Sequence, residues 1–231
     1  LNEKVKQVYP KGMGWQIAQY LKAQEGIASV HVAELDDPDQ GLSEKTLKKT
    51  DVMTWWGHMA HDKVTEDNAA RVQQRVNEGM GLVVLHSGHL SKPFRRLMGT
   101  GCMLKWREWK GMGEKERLWV VDPAHPIVDG IPEYIEIAHA EMYGEHFDIP
   151  QPDQLVFVSW FQGGEVFRSG CCWHRGLGKV FYFRPGHETF PIYYQEDVLK
   201  VIANAVKWAA PTVVKGGIKR DHFEPPLEKI D

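Results

Sequence analysis

The stretch GMGLVVLHSGH, residues 79–89, decides the fold. Its core, GLVVL (81–85), has no polar side chain, so it reads as a strand buried on both faces. It runs straight into His86, Ser87, Gly88 and His89. A helix is predicted before it over 65–79 and a short one after it over 91–98. Working back towards the start, residues 51–56 (DVMTWW) read as another buried strand. Ser43 caps a short helix ending at Lys49. Residues 36–41 form a turn-rich loop, and SVHVAEL (29–35) alternates like a strand. Residues 12–26 form an amphipathic helix with Ile17, Ala18, Tyr20 and Leu21 on one side. Strands alternating with helices across short loops indicate crossover units and a parallel sheet.

The pattern changes in the second half. Residues 116–121, 134–138, 155–161, 165–173 and 178–184 all read as strands with few helices between them, which predicts antiparallel pairs and hairpins. Residues 196–209 form a last amphipathic helix, stopped by Pro211. The expected fold is α/β: a mostly parallel central sheet flanked by helices, with antiparallel excursions in the second half. Residues 1–211 make one domain. Residues 212–231 make a C-terminal arm whose spaced apolar residues (Ile218, Phe223, Leu227 and Ile230) suggest an ordered arm and a homodimer.

Composition narrows the function. The net charge is −3, with both signs interspersed and no basic stripe, which argues against nucleic acid. No apolar stretch reaches membrane-spanning length and no signal-peptide pattern appears, so a cytoplasmic protein is expected. Three cysteines, two of them adjacent, make no disulfide framework and no Cys-rich zinc site. No phosphate loop, dinucleotide fingerprint or Gly-x-Ser-x-Gly elbow is present. Nine tryptophans serve packing first, although sugar sites also use such flat faces.

Four apolar runs are each followed by histidine or glutamate: VMTWW by His58, GLVVL by His86, YIEIA by His139 and Glu141, and KVFYFR by His187 and Glu188. Ligands of open α/β sheets bind outside the carboxyl ends of the strands. A single histidine there is more often a cap; four runs ending alike point to one crevice. The candidate catalytic residues are His86, Glu141, His187 and Glu188. His58, His86 and His187 are candidate ligands for a divalent metal such as zinc; acid–base work suits the same imidazoles. Trp56, His89, Tyr143 and Trp160 are candidate substrate contacts, with Trp55 beside them. His61 reads as a solvated loop residue, and His146 as a loop residue able to join the site. No cysteine stands at these strand ends.

The stretches WWGHMAHD (55–62), GMGLVVLHSGHLSKPF (79–94), LMGTGCMLKWRE (97–108), ERLWVVDPAHPIVDGI (116–131), EMYGEHFDIP (141–150), SWFQGGEVFRSG (159–170) and KVFYFRPGHETFP (179–191) resemble the ThuA-like, trehalose-utilisation family. The resemblance implies a class I glutamine amidotransferase-like, flavodoxin-like fold. In those amidotransferases a cysteine nucleophile sits on a sharp turn after a core strand, and a histidine and glutamate follow a late strand. Here His86 stands near the cysteine's place, and His187 and Glu188 near the other two. With no cysteine at the elbow, the resemblance implies a role in trehalose or related disaccharide or keto-sugar catabolism, not Cys-dependent amidotransfer. An enzyme of unassigned reaction on a small-molecule carbohydrate is expected. The alternative is a non-catalytic sugar-binding or regulatory module. The family pattern also begins with a strand before the first helix, expected to precede Leu1.

Overall fold

The computed structural model describes residues 3–212 and 226–231. Two helices open the chain, α1 (Glu3–Val8) and α2 (Met13–Lys22), followed by α3 (Glu44–Lys48), β1 (Val52–Trp56), α4 (Glu66–Asn77), β2 (Gly81–Leu85) and α5 (Lys92–Met98). Then come β3 (Lys105–Arg107), β4 (Glu114–Val120), β5 (Tyr134–Ala140), β6 (Met142–Gly144), β7 (Gln154–Phe161), β8 (Val166–Arg175), β9 (Gly178–Phe183) and α6 (Glu196–Ala209). Ser43, Thr65 and Ser91 cap α3, α4 and α5, each accepting a backbone N–H with its hydroxyl.

The main sheet has seven strands in the order β1-β2-β9-β8-β7-β4-β5. β1, β2 and β9 are parallel. Each of the next four ladders is antiparallel. Four reversals in succession return β5 to the direction of β9. The carboxyl ends of β1, β2, β9 and β5 therefore share one edge, although β5 lies at the far margin. β3 and β6 form a separate two-stranded sheet. Every residue of β2 is buried, as its composition requires.

Helix α6 packs on β1, β2 and β9 and buries Val198, Leu199, Val201 and Ile202. Full burial of such a side chain contributes about 1.5–3 kcal/mol. Gly81 lets the end of α6 approach β2: a Cβ there would collide with the Ala209 carbonyl oxygen.

Residues 29–35 correct one expectation. They form no strand, and Val30 and Val32 are not fully buried. Alternation yields a strand only where a neighbour completes the ladder, and no described residue does so here. The short α1, β3 and β6 went unread because three to six residues hold too little periodicity. Most of the arm, 213–225 with Ile218 and Phe223, lies outside the described residues; Leu227 and Ile230 are exposed.

Beneath the shared strand edge lies a fully buried ion pair, Arg184 with Glu116. Ser159 donates to Glu116 at 2.5 Å, and Ser169 bonds Ser159 in turn. Removing one partner of such a pair strands a charge in low dielectric and costs about 3–5 kcal/mol. Glu116→Ala should lower unfolding free energy by about that amount in urea titration. A loss under about 1 kcal/mol would show that water reaches the Arg184 guanidinium.

Candidate functional site

His86 follows the last residue of β2 with φ at 49°. That left-handed conformation costs a non-glycine residue about 1–3 kcal/mol and persists where packing over-determines it. The chain turns at once into a 3-10 segment, His86–Leu90, and then α5. The His86 ring is fully buried, and its Nδ1 lies 2.9 Å from the Arg184 carbonyl. A carbonyl only accepts, so Nδ1 carries the proton and Nε2 presents a lone pair.

The segment after β9 is braced from several sides. Gly186 has φ at 140°, and a Cβ there would collide with the Tyr193 hydroxyl. Tyr193 donates to the Pro185 carbonyl at 3.1 Å, and Tyr9, just after α1, donates to the Phe190 carbonyl at 2.8 Å. The Trp56 indole donates to the Gly186 carbonyl at 2.9 Å. So held, His187 and Glu188 meet His58, whose Nδ1 lies 2.7 Å from Glu188 Oε1.

Glu141 arrives from the far strand, β5. Its carbonyl accepts from Arg184 Nη1 at 2.8 Å. Its carboxylate lies 3.2 Å from His86 Nε2 and 3.9 Å from His187 Nε2. Tyr143 stacks on His86, with centroids 4.9 Å apart, and donates to Ser87. The His187 ring stands 5.4 Å from that of His58 and 5.5 Å from that of His86. The cluster is nearly sealed; the His58 side chain, 30 % exposed, is its most open member.

Burial pushes His86 and His187 down, towards the neutral form. The His86 Nε2 lone pair then faces a carboxylate oxygen at 3.2 Å. The Tyr143 hydroxyl, 3.3 Å from the same nitrogen, can donate to that lone pair, and a proton or a metal ion would relieve the two facing acceptors. His187 differs. Its Nδ1 meets both the Thr189 hydroxyl at 2.8 Å and the Thr189 N–H at 3.2 Å. One can accept and the other only donates, so His187 can offer the site a proton or a lone pair. The hydrogen bond to Glu188 raises His58 against the effect of burial. Burial pushes Glu188 up, but chiefly the hydrogen bond with His58 outweighs it and holds the carboxyl at about 2.

His58, His86, Glu141, His187 and Glu188 thus come together. His58, His86 and His187 do not form one compact ligand set. Two compact groups occur among the described residues: His86, Glu141 and His187, and His58, His187 and Glu188. His58 is drawn away because Glu188 holds its Nδ1. Of the aromatic residues, Tyr143 touches the cluster, while the Trp56 indole is committed to Gly186. His89 is buried behind Tyr143; it donates to the Cys102 carbonyl at 2.7 Å and is pushed down to about 3 by burial. Trp160 is not brought to the cluster: its ring lies under Arg117. The pleat explains this, since its neighbour Ser159 faces the Glu116–Arg184 pair. His139 bonds the Met112 carbonyl, His146 is exposed, and His61 is half-buried against Gly57 instead of solvated. Sequence reasoning missed Arg184, Ser87 and Thr189, which position the others. Arg184 ends an apolar run, but a terminal arginine normally reads as solvated.

The family model described as ThuA, trehalose utilisation, matches residues 3–209. A ThuA-like protein from Parabacteroides merdae has a similar structure, with a TM-score of 0.64 at 16% identity, covering 95% of this chain and 89% of that one. A cytoplasmic protein from Salmonella typhimurium gives 0.56 at 14% identity, covering 85% and 87%. A GMP synthase subunit from Thermoplasma acidophilum gives 0.50 at 13% identity, covering 85% and 87%. A comparison with curated proteins gives no match. Among the described residues no helix is long and apolar enough to cross a membrane.

The His58–Glu188 bond has a pH signature. The raised His58 contributes stability below its ordinary value of 6.5 that is lost as pH rises through its folded value. Glu188 contributes stability above its ordinary 4.5 that is lost as pH falls through about 2. Glu188→Gln removes the stronger influence on His58 and leaves its burial. The His58 ring protons, followed by NMR in chelator-treated protein, should titrate above 6.5 in the wild type and below it in the variant. An unchanged titration would show that the bond does not control His58.

Proposed function

We propose, from the premise that this chain belongs to the ThuA family of trehalose utilisation, that its histidine–glutamate cluster is the catalytic centre of an enzyme acting on a disaccharide or an oxidised sugar. One observation carries the reading: three imidazoles and two carboxylates from four strand ends meet in a nearly sealed space. Desolvating so many titratable groups is costly and adds little packing. Catalytic acid–base chemistry is a physical reason to keep them.

The roles follow from the protons. His58 donates Nδ1–H to Glu188, which leaves Nε2 as a base whose protonated form the carboxylate stabilises. It is also the most open member, so it faces the substrate. With no ion in the cluster, His187 supplies or takes the second proton; with one, it serves as a ligand instead. Sugar chemistry uses such a pair, because a glycosidic oxygen leaves more readily when an acid protonates it and a water or hydroxyl attacks more readily when a base takes its proton. The cysteines take no part. All three are buried, and desolvation pushes Cys102 up to about 11 and Cys171 up to about 12.

The donor set also fits a divalent ion of the zinc class. His86 Nε2, Glu141 and His187 lie within 4.8 Å of one another. Two imidazoles and a carboxylate form a ligand set that leaves a position open to substrate. His86 gives its other ring proton to a carbonyl, as metal-bound histidines do. Such an ion would polarise a sugar oxygen or acidify a bound water. A cytoplasmic setting and a small-molecule carbohydrate partner belong to the same proposal.

Elemental analysis of the purified protein and an activity screen on disaccharides and their keto derivatives test it. The wild type should carry a stoichiometric divalent metal that Glu141→Gln loses. His58→Ala should lower kcat/KM by about 10²–10⁴-fold with the fold retained. A wild type that binds sugars and turns none over would replace the enzyme with a non-catalytic binding module.

A further inference from the structure

A cavity of about 340 Å³ lies outside the histidine cluster, lined by Arg107, Trp109, Glu114, Gln162 and Gly163. Its size falls within the range of small-molecule sites, about 300–1,000 Å³. Its wall is the segment joining β3 to β4, which also borders the cluster. Gly113 approaches so closely that a Cβ there would touch the Phe190 ring and Ala140 at 2.8 Å. The Phe190 ring in turn packs 5.3 Å from the His187 ring. Ala140 immediately precedes Glu141. Glu108, between two lining residues, is near enough for its charge to act on His58.

The floor selects a class of ligand. Arg107 is fixed by two carboxylates. It donates Nε and Nη2 to Glu114 at 2.9 and 3.0 Å, and Nη1 and Nη2 to Glu165, both at 2.7 Å. The Gly163 N–H adds a third bond to Glu114 at 3.0 Å. Four of the five guanidinium protons are committed, and two negative charges surround one positive charge. An anion therefore finds no uncommitted charge on Arg107. The carboxylates keep lone pairs that can accept from hydroxyls, held in place before any ligand arrives. The Gln162 amide brings both a donor and an acceptor. Trp109, half exposed, adds a flat aromatic ring with the Lys110 ammonium over one face, 5.3 Å from its centroid, which leaves the other face for a ligand. A neutral polyol with one apolar C–H face matches this lining, and a pyranose ring is such a molecule.

We propose that this cavity is the subsite for the second, unreacting ring of a disaccharide whose reacting ring lies against His58 and Glu188. The inference rests on the carbohydrate reading above and adds the length of the substrate and the place where it is gripped. Trp109 is the gripping residue and carries no chemistry.

The test is equilibrium binding, by isothermal titration calorimetry, of glucose, trehalose, maltose and cellobiose to the wild type, Trp109→Ala and Trp109→Phe. Trp109→Ala should weaken the tightest disaccharide about ten-fold, equal to about 1.4 kcal/mol. It should leave glucose within about two-fold, and Trp109→Phe should restore most of the affinity. Because Trp109 is exposed, thermal melting should not change. Equal disaccharide affinity in the wild type and Trp109→Ala overturns the subsite and leaves the carbohydrate reading standing. A wild type that binds none of the four sugars overturns both.

Discussion

Arg184 is the residue on whose contacts the site depends. Its backbone carbonyl fixes the proton of His86, its Nη1 fixes the backbone of Glu141, and its Nη2 is held by Glu116. From the end of β9, these three contacts reach the ends of β2 and β5 and the middle of β4. The guanidinium is fully buried, and its Nε has no partner among the described residues. A buried charge with exacting geometry is a poor way to gain stability. Its effect is to keep the two ends of a strained elbow and a distant strand in register.

The sealed cluster has an electrostatic consequence. Burial disfavours imidazolium at His86 and His187, and ionised Glu188 holds the one raised histidine, His58, at the mouth. The one raised imidazole of the cluster thus sits at its most open point, paired with a carboxylate, and imidazoles pushed towards the neutral form lie behind it. A neutral imidazole can bind a proton or a metal ion, whereas a protonated one can do neither. Low dielectric keeps the inner donors ready for a cation, at the expense of burying polar groups that a pure core would replace with aliphatic side chains.

Much of this arrangement was legible from sequence because strand ends carry their own punctuation. An apolar run of five residues followed by histidine reports both a buried strand and the side chain at its exit, as in residues 81–86. Direction was harder to read. That β5 points the same way as β9 depends on four antiparallel ladders between them, and no local pattern counts reversals. Trp160 shows the limit of residue type: tryptophan suits a sugar site, but the pleat turns it towards Arg117. Arg184 shows the converse, since nothing around an arginine at a strand end reveals that Glu116, far away in sequence, neutralises it. The left-handed backbone of His86 was also hidden, because glycine or asparagine normally marks such a position.

The elbow itself links fold to chemistry. A strand that ends in a strained turn exposes one side chain at the centre of the strand edge, where neighbouring strands deliver theirs. In the amidotransferases that share this architecture the position is given to a cysteine that must attack, and its thiolate needs an open approach. Here it is given to a histidine that is wholly buried, with its Nδ1 tied to the chain. A group so enclosed cannot leave its place to form a bond with substrate. It can only pass a proton or hold a cation. The same architecture can therefore support different chemistry, because a cysteine at the elbow can attack and an enclosed histidine cannot.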